Sequence, residues 1–349
     1  MTEVTALATA AGALAATEPD AAEEFLASLD RAAAEHVQAE RPAKTRASFA
    51  RDWAVWTEFL DWLARQPASR GVRVPDTSVR SGTLVTFVNY LDQVRHEAPS
   101  TMGRRITGVT VEARARGCTV TKTETGPARE IVRRWMRDPV RTARGRGQAP
   151  ALTLPGLRVM VTAERGAQVP LRAVLRDRAM ALVSFYAAMR SAETAALRVT
   201  DVAVDRSGNL VVAVPAVKGG EGRVVGIERM KDPAVCPVRA WLAYVQAADI
   251  TAGPAFRAVT RGGRLKGEAA MSPDSVSRAL VRMGEDAGLE HRVTGHSLRS
   301  GFVTEGRRAG VPAEKLRDQT GHAASSPVFW VYVRRGELFE ESVTGRMEA

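Results

Sequence analysis

The chain has 349 residues, 45% of them hydrophobic, enough for one large or two ordinary domains with their own cores, and two is the expectation. Its formal net charge of +11 calls for a polyanionic partner, nucleic acid first among them. Cys118 and Cys236 stand far apart, which argues against a disulfide framework and a thiolate zinc site. No basic stretch precedes an apolar core at the start, and no apolar run approaches the roughly 18 residues a membrane span needs, so a cytoplasmic protein is expected.

Residues 1 to about 17 are rich in Ala and Thr and read as a tail. Residues 20–38 read as a helix, with Phe25, Leu29 and Ala33 on one face and Asp20, Glu23 and Glu24 favouring its N-terminus. Residues 1–40 hold eight acids against Arg31, a net of −7 that leaves +18 for the rest, so the N-terminus is not an expected DNA contact. Phe49, Trp53, Trp56, Leu60 and Leu63 recur at three- and four-residue steps and predict an amphipathic helix ending before Pro67. Further helices are expected over 81–96, 100–116 and 127–136, completing a small bundle. Between Gly103 and Pro150, twelve Lys and Arg face only Glu112, Glu124, Glu130 and Asp138, a net of +8. Any one of these cations is as readily a solvated helix face. As a field they suit phosphate neutralisation, with Arg104, Arg105, Arg141, Arg144 and Arg146 as candidate DNA contacts. Residues 139–150, broken by Gly, Pro and Arg, read as a basic linker able to lie along a DNA backbone.

A larger domain is expected from Ala151. Helices are predicted over 155–165 and 171–188, the second apolar along much of its length. Residues 202–204, 210–214 and 223–227 are short β-branched runs separated by Ser207-Gly208-Asn209 and Gly219-Gly220-Glu221-Gly222, which predicts a three-stranded antiparallel meander. Helices follow over 237–247, 272–287, 298–309, 312–319 and about 329–335. The expected organisation is an acidic tail and helix (1–38), a helical bundle (39–138), a linker (139–150) and a C-terminal domain with its tail (151–349). The fold class is mainly α with a small antiparallel β-meander, α+β.

Chemistry concentrates near the C-terminus, where His296, Arg299, His322 and Tyr332 lie within 37 residues. A tyrosine hydroxyl with a pKa of about 10 is on the order of 0.1% ionised at neutral pH. It serves as a nucleophile only beside proton acceptors and cations that stabilise charge on its target, which two histidines and arginines supply. Arg190, far upstream, follows an apolar helix, where a charge is costly unless it meets an anion or a carboxylate such as Glu193. Guanidinium groups suit phosphate oxygens through paired donors. His296 and Arg299, three residues apart, share one face of a helix start. Tyr90, Tyr186 and Tyr244 fall on apolar helix faces and read as core. The carboxylates are scattered rather than clustered as a metal-dependent nuclease requires, and no GxxxxGK[ST] segment suggests nucleotide use.

The segment 188–201, an arginine followed by Glu three, Leu seven and Asp eleven residues on, resembles the first box of the tyrosine recombinases, or phage-type integrases. Thr294-Gly295-His296-Ser297-Leu298-Arg299 resembles the second box, and Thr320-Gly321-His322 with Tyr332 the third. The resemblance spans about 151–340, and residues 40–138 look like the family's core-binding domain. It implies that Arg190, Lys218, His296, Arg299 and His322 serve a nucleophilic Tyr332 with Glu193 in support. It also implies a 3′-phosphotyrosyl intermediate, no metal or other cofactor, and four protomers on double-stranded DNA carrying paired sites. Lys218 matches the family's hairpin lysine, with Lys231 and Lys266 as alternatives; the tail residues Leu338, Phe339 and Val343 either dock on a neighbouring protomer or stay with their own. Tyr332 lies ten residues after His322, where the family most often has nine. Ser325-Ser326-Pro327 can absorb the extra residue in a loop. The competing reading is a DNA-binding protein that keeps the fold without catalysis.

Overall fold

The computed structural model describes residues 19–145, 147, 149–217 and 221–337. The tail before residue 19, Arg146, Lys218 and the tail residues Leu338, Phe339 and Val343 lie outside them. The described residues form two compact units, divided after Gly147.

The first unit is helical: α1 (Pro19–Glu40), α2 (Ala43–Ala64), α3 (Ser81–Gln93), α4 (Pro99–Ala115), α5 (Lys122–Trp135) and a single turn, α6 (Pro139–Thr142). Its core is aromatic where α2 meets α3. Trp56 packs edge-on against Phe87 at 5.2 Å between centroids, and Phe59 joins Phe87 and Tyr90. Leu84, Leu91, Met102, Ile106 and Val109 close it with no exposed surface. Such burial is the main favourable term for a bundle whose helices are individually marginal.

The expected N-terminal helix forms, with Phe25 and Leu29 exposed. Two features depart from the sequence expectation. The helix expected from Pro127 begins five residues earlier, because Thr121 and Glu124 form a capping box in which the Glu124 carboxylate accepts the Thr121 N–H at 2.6 Å. The first part of the expected linker is a helical turn capped by Asp138, whose carboxylate accepts the Val140 N–H at 2.9 Å.

The second unit opens with α7 (Leu154–Thr162) and α8 (Leu171–Tyr186), then α9 (Ser191–Ala196). Strands β1 (Val202–Val204), β2 (Leu210–Val214) and β3 (Arg223–Ile227) form an antiparallel sheet in that order, with Val202 opposite Val212 and Val212 opposite Val225. After α10 (Pro237–Ala248) comes a hairpin of β4 (Arg257–Val259) and β5 (Leu265–Ala270) that the sequence reading missed. The residues of β5 are mostly exposed and include Lys266, Gly267 and Glu268, so they carry no apolar alternation to read. Then come α11 (Pro273–Asp286), α12 (Gly295–Arg308), α13 (Ala313–Thr320) and α14 (Pro327–Gly336). Residues 179–183 of α8 are completely buried, which makes this helix the central column of the unit. A smaller cluster of Val303, Leu316, Phe329, Tyr332 and Val333 joins α12, α13 and α14.

Candidate active site

Close backbone approach at three glycines brings the separated boxes together. A Cβ at Gly295 would strike the Ser191 hydroxyl, so the start of α12 rests on the residue after Arg190. A Cβ at Gly301 would strike the Leu152 carbonyl, and the Leu152 N–H donates to the Ser297 carbonyl at 2.9 Å. At Gly336 a Cβ would lie 2.5 Å from the Arg307 Cβ and 2.7 Å from the Thr304 carbonyl, so α14 sits directly on α12. Only glycine permits these contacts.

Arg190 is the N-cap of α9. The Glu193 carboxylate accepts both its backbone N–H, at 2.9 Å, and its guanidinium, at 2.5 Å. Glu193 is 3% exposed, whereas the Arg190 side chain is 41% exposed. Burial alone would raise the Glu193 carboxyl, but the Arg190 N–H, the Arg223 guanidinium and the Arg190 side chain outweigh it and hold the group below its ordinary value. Glu193 is therefore an ionised partner of both arginines.

Arg299, on α12, is buried and donates to two carbonyls, Ala188 at 2.6 Å and Thr320 at 2.5 Å. Burial, with Arg190 adding to it, lowers Arg299 to about 9, which still leaves the guanidinium charged at neutral pH. It is a buried cation short of counter-charge, the condition in which an arriving anion is most strongly favoured. The accepting Ala188 has φ of 49°, a left-handed conformation uncommon for alanine, and it turns its carbonyl toward Arg299.

His322 follows Gly321, which caps α13 with φ of 62°. Its Nδ1 lies 2.8 Å from the Thr320 hydroxyl, and that hydroxyl donates onward to the Arg317 carbonyl at 2.9 Å. The tautomer satisfying this chain carries its proton on Nδ1, leaving Nε2 to face the Arg299 Nε at 3.4 Å. Burial, then Arg299, Arg190 and Arg223, push His322 down to about 3, so it is neutral at physiological pH. His296 lies in the first turn of α12 with its ring open to solvent. Partial enclosure, Arg299 and Arg190 hold it below its ordinary value.

Tyr332 is 5% exposed, its ring 6.5 Å from that of His322. Its carbonyl accepts from the Thr304 hydroxyl at 3.4 Å, fixing α14 to α12. Between His322 and α14 the chain forms a loop: the Ser326 N–H returns to the Ala323 carbonyl at 3.0 Å, Ser326 caps α14, and the Trp330 indole donates to the Ala324 carbonyl at 3.2 Å.

Arg190, Glu193, His296, Arg299, His322 and Tyr332 thus meet in one unit. Lys218 lies outside the described residues, and neither Lys231 nor Lys266 makes a hydrogen bond or ion pair with the cluster. The sequence reading missed Arg223, the first residue of β3, which bonds Glu193 and the carbonyls of Gln319, Ala187 and Ala188. The signal was present: Arg223, Val225 and Ile227 alternate on the inward face of the strand. Among the described residues, no group of three or more His, Cys, Asp or Glu side chains could hold a metal, and no helix is long and apolar enough to cross a membrane.

The described candidate DNA contacts, Arg104, Arg105, Arg141 and Arg144, have internal partners. Arg104 bonds the buried Asp52 at 2.6 Å, and Arg105 bonds Asp52 and Glu97. Arg141 and Arg144 both bond Asp92, at 2.9 and 2.7 Å. Arg104 keeps nearly half of its side chain exposed, Arg105 little.

The model of the phage integrase family matches residues 163–337, half of the chain. The chain belongs to the phage integrase family. Among curated proteins, this integrase is similar to an integrase/recombinase XerD homolog of Selenomonas ruminantium, 28% identical over 302 residues that cover 84% of this chain and 82% of that one. Among solved structures, it shares its fold with the XerH site-specific recombinase in a pre-cleavage complex with its difH substrate, at a TM-score of 0.56 and 16% identity over 84% of this chain and 77% of that one. The Tn1549 transposon integrase bound to transposon right-end DNA gives 0.55 and 14%, over 92% of this integrase and 98% of that chain.

Proposed function

We propose that this integrase cleaves and rejoins DNA at specific sites, with Tyr332 as the nucleophile. The observation that carries the reading is that a tyrosine, two arginines and two histidines from three distant segments come together in a single unit, with His322 beside both Arg299 and Tyr332 and Glu193 bonded to Arg190. The Tyr332 oxygen attacks the scissile phosphorus. A bond to the tyrosine forms, the bond to the 5′ oxygen breaks, and the products are a 3′-phosphotyrosyl link and a free 5′ hydroxyl. The tyrosine proton passes to a neighbouring base, for which His296, unprotonated at neutral pH, is the best placed by the family pattern. The departing oxygen takes up a proton, in the family's scheme from the hairpin lysine, here Lys218.

Arg190 and Arg299 stabilise the charge that builds on the phosphate, and each such preorganised donor is worth about 3 to 4 kcal/mol. His322 joins them once its proton sits on Nε2. The phosphotyrosyl link keeps the bond energy of the phosphodiester, so a 5′ hydroxyl from a partner strand reverses the step. Exchange between two duplexes breaks four strands, and each tyrosine forms one link, so four protomers act on two paired sites. On this reading the protein works in the cytoplasm, on the nucleoid.

A nicked suicide substrate tests this. Loss of the short fragment beyond the nick removes the 5′ hydroxyl that would reverse cleavage, and a protein–DNA adduct should accumulate on a denaturing gel. Tight binding to a verified site with no adduct would show a binding protein that has kept the fold without its chemistry.

A further inference from the structure

Arg223 bonds the Glu193 carboxylate and the carbonyls of Ala187, Ala188 and Gln319, next to the first and third boxes, yet nothing in the proposed chemistry uses it. Its side chain is 12% exposed and its Nε and Nη2 donors are engaged: Nε with the Gln319 carbonyl at 2.7 Å, Nη2 with the Glu193 carboxylate at 3.2 Å and the Ala187 carbonyl at 3.2 Å. The Nε–Nη2 edge, one of the guanidinium's forks, is thus spent inside the protein. Arg223 acts on the site through these partners.

The charges around Glu193 show what that effect is. One buried carboxylate stands between two guanidinium groups, Arg190 on Oε1 and Arg223 on Oε2. A single negative charge neutralises one cation. With Arg223 on the inner oxygen, Arg190 is held in place by the outer one and keeps much of its positive charge for the exposed side. Without Arg223 the carboxylate would have Arg190 as its sole cation, and a bidentate pair would form in competition with any phosphate. Arg223 also braces the turn before His322: a Cβ at Gly321 would lie 3.4 Å from the Arg223 Cδ, so the glycine leaves room for the arginine stem.

We propose that Arg223 is a positioning residue which, by satisfying Glu193 from behind, keeps the Arg190 guanidinium oriented and electrostatically available to the scissile phosphate. The inference rests on the function proposed above. A double-mutant cycle on single-turnover adduct formation tests it. Arg223→Ala should slow the adduct about 10- to 100-fold, the range for residues that support a ligand rather than touch one, with DNA binding nearly unchanged. Arg190→Ala should slow it on the order of 10²- to 10³-fold. The double variant should be no slower than Arg190→Ala alone, because the support is worthless once the supported group is gone. Arg223→Lys, which keeps a cation near Glu193, should recover part of the rate and carries the cycle if the alanine variant does not fold. Losses that multiply in the double variant would overturn the proposal, and so would a wild-type rate in Arg223→Ala. An absence of adduct in the wild-type protein would instead strike the function itself.

Discussion

The two units treat arginine in opposite ways. In the first, Asp52 and Asp92 each bind two arginines, with Glu97 and Asp138 adding further acceptors, so Arg104, Arg105, Arg141 and Arg144 are nearly balanced by carboxylates. In the second, Arg190 and Arg223 share Glu193, while Arg299 has two carbonyls and a histidine but no carboxylate among the described residues. Both regions are basic stretches in the sequence. Pairing separates them: the first set is matched by carboxylates, and the second keeps positive charge uncompensated beside Tyr332, where the proposed reaction needs it.

Removing the least compensated cation should have the largest consequence for the chemistry. Arg299→Ala should slow adduct formation on the order of 10²- to 10³-fold, as for other donors to a developing oxyanion. Retention of the rate would erase the distinction between the units. Next comes placement of the nucleophile. Gly336→Ala forces α14 off α12 by the bulk of one methyl group, and displacement of a reacting atom by about 1 Å costs up to roughly 100-fold. Stopped-flow or quenched adduct assays should show that loss with circular dichroism unchanged.

The carboxylates of the first unit should act on stability instead. Asp92 is held below its ordinary value: burial opposes this, but hydrogen bonds from Arg141 and Arg144 outweigh it. Its contribution is therefore present above the unfolded carboxyl range and lost as pH falls through the lowered folded value. Asp92→Asn should cost about 1 to 2 kcal/mol at pH 7, less than a fully buried pair because its arginines reach solvent. Asp52 is raised, since burial outweighs Arg104 and Arg105. Asp52→Asn should stay within about 1 kcal/mol of wild type, and denaturant titration distinguishes the two. Equal losses would contradict the difference in how the two carboxylates are held.

Acid response appears only below neutral pH. The folded value of His322 lies below its unfolded one, so the unfolded chain takes up the proton first and stability falls as pH drops from about 6.5 toward 3. His322→Gln should flatten that part of the curve of melting temperature against pH.

Much of this was legible in the sequence. The helices and the meander follow from apolar spacing, and the boxes carry Arg190, His296, Arg299, His322 and Tyr332 as short local patterns. Partner choice was not legible. Whether Arg104 or Arg299 is neutralised depends on Asp52 and Thr320, residues brought near only by folding. The strained Ala188 leaves no trace either, since alanine there looks like one more turn of α8. Arg223 lay between these cases, with its inward face readable from strand alternation but its acceptors set by tertiary structure.

The most direct test is to trap the adduct on a suicide substrate, digest protein and DNA, and locate the modified peptide by mass spectrometry. A nucleotide-bearing tyrosine at Tyr332, with no adduct from Tyr332→Phe, is the predicted result. An adduct mapped to another residue, or one that persists in Tyr332→Phe, would contradict the assignment of this residue as the nucleophile.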